Sequence, residues 1–433
     1  MESLIQRKWR QEQPAAKNEC GSKNAVRGIR LLFATPEPCP TFRADVAVLF
    51  GKYLPRFGVR SDLVTDRAPG VSGEPRWEGG QAYLASARHD KVRKHLLKLA
   101  HYICVMFRAD RDTYQAIQVR DMPLVGLIGL LAARARGLRF FYWMSFPTPE
   151  YHIKLAEGRR LSAGVVGYVI PWVRGRVEGL LLYRLVLRWA DHVFVQSLRM
   201  RTDVADMGVP WEKITPVPMG VDTEVTRPEL VVPSSDSRLV GRRVLVYLGT
   251  LDRNRRIDFL FEVLSIVRQV FPQALLVLVG QAEDDAHERW LRLRARQTGV
   301  MNDIIWTGWL PVDEAWKYVR AAEIGLSPFP RGPLLDSCSP TKLLEYLALN
   351  VPVVGNENPD QGQILREGGG GLCVPLEPSE FAHAVCRLLT DETLCRAMAS
   401  SGRRYVLSRR SYDSLARCVA SAYAELLNMP AVT

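Results

Sequence analysis

The chain has 433 residues, 47% hydrophobic and 24% charged, the balance of a globular protein with room for two or three domains. It contains no run of about 18 apolar residues, residues 1–19 lack the apolar stretch of a signal peptide, and the eight cysteines form no CxxC pair, so no membrane span, leader, metal site or disulfide framework is expected. The formal charge of +12 sits in one half: residues 1–225 hold 34 Lys and Arg against 22 Asp and Glu, the remainder 24 against 24.

A basic first half needs an anionic partner: nucleic acid, an acidic membrane surface or a phosphate-bearing substrate. Residues 1–27 read as a disordered, mildly basic tail. The continuous apolar run 29–35 (IRLLFAT) has the mark of a strand buried on both faces, and 41–57 reads as a helix. Further strand-like runs lie at 102–107, 116–119, 139–143 and 192–196, with helical stretches such as 123–136 between them. That alternation argues for a parallel, doubly wound sheet. Within 161–189, Leu181, Leu182 and Leu185 share a helix face beside Arg184 and Arg188. Such a helix suits an anionic leaflet, or equally a core contact with a solvated basic edge.

A second alternating series follows the polar stretch 232–238, with strands at 244–249, 274–280, 304–307 and 324–327 and helices at 256–270, 283–298 and 312–322. The architecture expected is α/β, with two Rossmann-like, doubly wound domains over 28–230 and 231–410. A closing segment, 411–433, forms a helix over 412–427 that packs back toward the first domain.

The second half carries the phosphate chemistry. The strand at 244–248 ends in Gly249-Thr250, and Asp252 can cap the helix that follows. Arg253, Arg255 and Arg256 surround that helix's first turn, where cations oppose the helix dipole unless an anion is bound. Otherwise they extend into water. In open α/β sheets ligands bind at the carboxyl ends of strands, which here carry Gly249, Gly280, Gly308 and the loop at Ser337. Beyond that loop, Ser339 and Pro340 start a helix over 340–349, followed by Asn350 in a left-handed position and a strand over 351–354. Lys342 and Glu345 stand three apart on its polar face, with Thr341 in its first turn. Free amides and an ammonium suit a phosphate, and a neighbouring carboxylate suits sugar hydroxyls. The competing reading is a solvated ion pair on an ordinary helix.

The ordered series YLGTLDRNRRID (247–258), LLVLVG (275–280), IIWTGWL (304–310), SPTKLLEYLALNVPVV (339–354) and GGLCVPLEP (370–378) resembles glycosyltransferase family 4, retaining enzymes of GT-B fold with two domains facing a cleft. The likeness begins with DHVFVQS (191–197) and KITPVPMGVD (213–222) and spans about residues 190–400. The resemblance implies that Glu345 holds the nucleotide ribose, that Arg256 takes the place of the phosphate-binding lysine with Lys342 assisting, and that Gly308, Trp309 and Leu310 receive the nucleobase. Two positions depart from the family pattern. Ser337 stands where a sugar-contacting glutamate is usual, and Thr250 where a basic residue is usual, a role then passing to Arg253.

The same resemblance implies transfer of a hexosyl or N-acetylhexosaminyl group with retention, without a metal, the donor phosphate assisting its own departure. It also suggests a lipid-linked saccharide acceptor in cell-surface polysaccharide assembly, a cytoplasmic location at the inner face of the membrane, and no nucleic-acid partner. Candidates for the group that orients the acceptor are Asp121, in VRDMP (119–123), and Ser145, in YWMSF (142–146); each also reads as a structural residue, and His152 as a surface histidine. Two rivals remain: a nucleotide-sugar epimerase of the same fold, and a nucleic-acid-binding protein, although neither a helix-turn-helix nor an aromatic RNA-binding motif is present. A dinucleotide dehydrogenase is disfavoured because no GxGxxG follows 29–35.

Overall fold

The structure is a computed structural model that describes residues 28–69, 71, 75–85, 91–159 and 164–430; the tail read at 1–27 lies outside the described residues. It divides into two units, Met1–Pro218 with Tyr412–Thr433, and Met219–Ser411. Residues 219–230 go with the second unit, not the first as expected from sequence, because their bonds lead there. Met219 N donates to Ser339 Oγ (3.1 Å), Val221 N to Arg410 O (2.9 Å), and Arg403 clasps Glu229 (2.9 Å).

The first unit is built on a seven-stranded parallel sheet of β1 (Ile29–Ala34), β2 (Val59–Asp66), β3 (Ala82–Ala85), β4 (Ala116–Arg120), β5 (Arg139–Met144), β6 (His192–Val195) and β7 (Ile214–Pro216), in the order β3-β2-β1-β4-β5-β6-β7. The second is built on six parallel strands, β8 (Arg243–Leu248), β9 (Ala274–Val279), β10 (Ile304–Gly308), β11 (Ile324–Ser327), β12 (Val353–Asn356) and β13 (Gly371–Val374), in the order β10-β9-β8-β11-β12-β13. Each is doubly wound, and the order reverses between β1 and β4 and between β8 and β11. Those are the points where such sheets open a crevice at their carboxyl ends.

Strands that read as unbroken apolar runs are buried on both faces, as β9 is at every residue, whereas β4 is equally buried yet carries Gln118 and Arg120. Two expectations fail. Residues 102–107 are the last turns of the helix Lys91–Phe107, in which Tyr102 and Met106 reach the core four residues apart, while Ile103 and Phe107 are exposed. A helix that buries one face can still end in an unbroken apolar string. Strand β2 was missed because polar Ser61, Asp62 and Thr65 are buried in it beside Val59, Leu63 and Val64: Asp62 accepts from Arg30 (2.8 Å), Tyr114 (2.7 Å) and Gln81 N (2.9 Å), so its charge is compensated inside the sheet.

The C-terminal helix Tyr412–Leu426 belongs to the first unit. It packs on the helical segment Asp45–Tyr53 and lays Tyr423 against Phe141 and Phe194, with ring centroids 5.6 and 5.0 Å apart. The Tyr423 hydroxyl donates to buried Gln118 on β4.

In the second unit Gly249 and Gly280 end adjacent strands with φ of 135° and 153°. A Cβ on Gly280 would lie 2.0 Å from the Gly249 carbonyl oxygen, backbone against backbone. The close approach pinches together the ends of β8 and β9. Gly280→Ala is therefore expected to destabilise the protein by roughly 2–3 kcal/mol in urea unfolding; a change within about 0.5 kcal/mol would show that the two loops are free to part.

Candidate functional site

The helix Thr341–Ala348 points its first turn at the end of β8. Ser339 does not cap it, contrary to expectation. Its hydroxyl donates instead to Asp360 (2.6 Å) and accepts from Met219 N, while Asp360 is held by buried Arg410 (2.6 Å). The position before the helix is Pro340, and no side chain caps the first-turn amides. They are left free in a helix whose dipole points positive at that end.

Lys342 lies beside them and is 8% exposed, not solvated. Its ammonium donates to the Tyr247 hydroxyl (2.8 Å), lies 4.0 Å from the centroid of that ring, and sits 3.6 Å from where a Gly249 Cβ would be. The Tyr247 hydroxyl passes its own proton toward Thr250 O (3.2 Å). Among the described residues no carboxylate comes within ion-pair distance of Lys342. Burial, then the nearby guanidinium of Arg255, hold its pKa well below the usual lysine range. A buried cation with a hydroxyl and a ring face but no counter-charge is half of an anion site.

Glu345, one turn on, accepts a long hydrogen bond from Trp316 Nε1 (3.4 Å), and burial pushes its carboxyl up to about 7. It therefore has acceptor capacity to spare when ionised. Tyr346 fixes the helix to the sheet: its hydroxyl accepts from Leu248 N (2.6 Å) and its ring fills the space over Gly325 on β11.

The expected helix over 256–270 starts only at Phe259. Before it, Arg253–Arg255 form a single 3₁₀ turn capped by Asp252, and Arg256 follows in the left-handed conformation with φ of 50°, rare for a non-glycine residue. The three arginines separate by role. Arg253 is exposed and bound to Glu283 (2.6 Å) and Asp284 (3.1 Å), while Thr250 Oγ1 donates to Asp252 (2.9 Å). Arg255, one of the three arginines expected around an anion, pairs with Asp252 (3.4 Å) and packs over the Phe329 ring (4.8 Å). It lines a niche with exposed Arg256, Phe259, Pro328, Pro330 and Leu376.

Gly308 closes β10 with φ of 69° and carries exposed Trp309 and half-buried Leu310 beyond it. Ser337 is buried after the short helix Pro333–Asp336, its hydroxyl donating to Pro333 O (3.1 Å). Neighbouring Asp336 is bound to Arg331 (2.8 Å). Thus Gly249, Lys342 and Tyr247 meet directly, Glu345 stands one turn away, and Arg253 and Ser337 are committed to other partners.

In the first unit Asp121 and Ser145 do meet, at the ends of β4 and β5. Asp121 accepts from Ser145 N (2.8 Å) and Phe146 N (3.2 Å), and the Ser145 hydroxyl donates to it. Burial raises the Asp121 carboxyl although Arg120 opposes the shift. Fully buried Arg120 holds Asp45 (2.8 Å), Ser145 Oγ (2.7 Å) and Glu37, in the turn after β1. Three carboxylates thus surround one guanidinium at the switch point of the sheet. Glu37 was missed in the sequence, although its place after the first strand is the signal that could have found it. His152 is no free surface residue, since its Nδ1 meets Glu178 at 2.6 Å. Among the described residues no three His, Cys, Asp or Glu side chains are grouped to hold a metal ion.

Comparison with known proteins fits this arrangement. Residues 45–220 match the "Glycosyl transferase 4-like domain" family and residues 242–391 the "Glycosyl transferases group 1" family. A GDP-mannose-dependent alpha-(1-6)-phosphatidylinositol monomannoside mannosyltransferase of Mycobacterium tuberculosis is 26% identical over 402 residues, 89% of this chain and 96% of that one. A Bacillus subtilis protein named as a teichuronic acid biosynthesis glycosyltransferase, TuaH, is 34% identical over 314 residues, 69% of this chain and 73% of that one. Among solved structures, the sucrose-phosphate synthase of Thermosynechococcus elongatus superposes with a TM-score of 0.70 at 16% identity, covering 92% of this chain and 99% of that one. WaaG, a glycosyltransferase involved in lipopolysaccharide biosynthesis, superposes at 0.64 with 14% identity, covering 90% and 99%. By its sequence relatives and its fold, the chain belongs to the group 1, or GT4, family of GT-B glycosyltransferases.

Proposed function

We propose that the protein transfers a hexose from a nucleoside-diphosphate sugar to a hydroxyl of a lipid-linked saccharide, with retention at the anomeric carbon. The observation that carries the donor half is Lys342, a buried ammonium with no carboxylate in ion-pair distance among the described residues, beside uncapped helix amides. The pyrophosphate lies there, with Arg255 and Arg256 as further cations from the facing turn. The ribose hydroxyls donate to Glu345, and the base lies against Gly308, Trp309 and Leu310. The mannosyltransferase relative uses GDP-mannose, and a structural neighbour, HepE of Anabaena, was solved with UDP-glucose (TM-score 0.66, 14% identity), so a nucleotide-linked hexose suits both.

In the transfer, the acceptor oxygen forms its bond to the anomeric carbon as the bond to the β-phosphate oxygen breaks. The departing electron pair stays on the phosphate, which takes the acceptor proton and leaves on the same face. Lys342 and the free amides stabilise the charge that develops on that phosphate. No metal is assigned a part. Asp121 and Ser145 act as positioning residues: their hydrogen bonds fix the loop after β5 beside the Glu37 and Asp45 carboxylates that Arg120 holds. The lipid-linked acceptor is supported by the phosphatidylinositol-based acceptor in the mannosyltransferase's name and by the basic first half, which also suits a peripheral place on an anionic membrane.

Two measurements test the donor site. In thermal unfolding with UDP, GDP, ADP and CMP, one nucleoside diphosphate at 100 times its Kd should stabilise the wild type by about 2.7 kcal/mol. Lys342→Met should abolish that response while the unliganded protein is no less stable, because a buried unpaired charge has been removed. A Lys342→Met variant that still responds fully would contradict the role.

The second measurement concerns pH. Glu345 has its carboxyl raised to about 7, so the carboxylate that accepts the ribose hydroxyls is lost as pH falls through 7. The affinity advantage of wild type over Glu345→Gln should therefore shrink below pH 7, approaching tenfold per pH unit. An advantage that is constant from pH 8 to pH 6 would remove Glu345 from the ribose.

A further inference from the structure

The start of the helix Thr341–Ala348 departs from its local preference. A serine followed by a proline favours a capped helix start, with the proline in the first turn and the serine hydroxyl accepting from an amide two or three positions on. Ser339 in that role would take the amide of Thr341 or Lys342. In the structure Pro340 is instead extended, with φ of −76° and ψ of 121°, and the helix begins one residue later with no side-chain cap. Buried Lys342 lies beside the open amides, its ammonium on the Tyr247 hydroxyl.

A buried chain of side chains holds Ser339 away. The Ser339 hydroxyl donates to Asp360 Oδ2 (2.6 Å), and Arg410 grips the same carboxylate through Nη2 to Oδ1 (2.6 Å) and Nη1 to Oδ2 (3.4 Å). All three residues are buried. Asp360 sits in the first turn of the helix Pro359–Gly368, where the helix dipole favours a carboxylate. Arg410 ends the segment Val406–Arg410, which packs on Thr341–Ala348. Ser339 Oγ also accepts from Met219 N (3.1 Å), and Arg410 O accepts from Val221 N (2.9 Å), beside a bridge between Val221 and Ser411. The second unit begins at Met219 and ends at Ser411, so its two chain ends and the helix start share one buried ion pair.

The far end of the helix is fixed as well. Leu347 Cδ2 fills the space that a Cβ on Gly370 or on Gly402 would need, 2.6 Å from each. Adjustment is thereby left to Ser339 and Pro340. A buried ion pair is weak evidence of a stabilising role, since apolar replacement of both partners is often neutral. A serine cap, by contrast, shifts an equilibrium roughly fivefold, and a cap formed here would occupy the amides that an anion needs.

We propose that Asp360 and Arg410 are positioning residues for the donor: by holding Ser339 out of the cap, they keep the first-turn amides of Thr341–Ala348 open to the donor phosphates. This rests on the donor-site reading and adds to it two residues that act through Ser339. The test is calorimetric titration of the full chain with UDP, GDP and ADP. Asp360→Ala/Arg410→Met removes both charges together and releases the serine. It should bind the preferred nucleotide about fivefold more weakly than the wild type. Adding Ser339→Ala should restore most of that loss, because the competing cap then has no hydroxyl; a pair that only supports the fold gives no such rescue. Asp360→Asn, which keeps the shape and removes the charge, is the milder variant should the double variant fail to fold, with a smaller loss restored by the same addition. Affinity unchanged by these variants, or a loss that Ser339→Ala leaves in place or deepens, would overturn the proposal. Where the wild type binds in a Lys342-dependent manner, such a result removes this proposal alone; a wild type that binds none of the three nucleotides removes the donor site with it.

Discussion

An ammonium group taken out of water is costly unless something of opposite charge comes with it. Lys342 is in that position: the Tyr247 hydroxyl and ring are its near partners, and Arg255 adds a second positive charge close by. The surrounding fold is arranged to keep it there. Tyr346 fastens its helix to β8, Gly249 and Gly280 bring two strand ends so close that no side chain fits between them, and Ser339 is drawn away toward Asp360 so that the helix amides stay free. Each feature keeps Lys342 and the helix amides at one strand end, with no carboxylate within ion-pair distance of Lys342 among the described residues, the arrangement that the proposed donor pyrophosphate would complete.

The first unit solves the inverse problem. At the corresponding switch point of its sheet, Arg120 is surrounded by Glu37, Asp45 and Asp121, so the excess there is negative although the unit as a whole is basic. A local acidic spot suits neutral, hydroxyl-bearing saccharides, whereas the distributed basic charge lies on the outer helices.

Much of the second unit was legible in its sequence because parallel strands buried on both faces leave continuous apolar runs, and each run ends at a glycine or polar loop. The family motifs sit at those strand ends and in the helix that follows the Ser337 loop, so Gly249, Lys342 and Glu345 could be named from sequence. What could not be read was the state of these groups. A lysine and a glutamate three apart look like a solvated pair, and only the packing of Tyr247 and Trp316 around them reveals a buried site. The first unit hid more. Strand β2 buries Ser61, Asp62 and Thr65, whose compensation by Arg30 and Tyr114 is long-range, and the apolar stretch 102–107 belongs to a helix. The Ser339 cap failed for a similar reason, since a local propensity yielded to a distant partner, Asp360.

If Lys342 is the cation that waits for the donor phosphates, binding must change its protonation. Held below its usual pKa in the free protein by burial and Arg255, it keeps its proton to higher pH once a phosphate lies beside it. The decisive measurement is calorimetry of nucleoside diphosphate binding at several pH values from 8 to 10 in buffers of differing ionisation enthalpy. Proton uptake by the wild type that grows across that range, absent from any residual binding to Lys342→Met, is the expected result. Tight binding with no proton uptake anywhere in the range, or the same uptake in the variant, would contradict the placement of the pyrophosphate on Lys342.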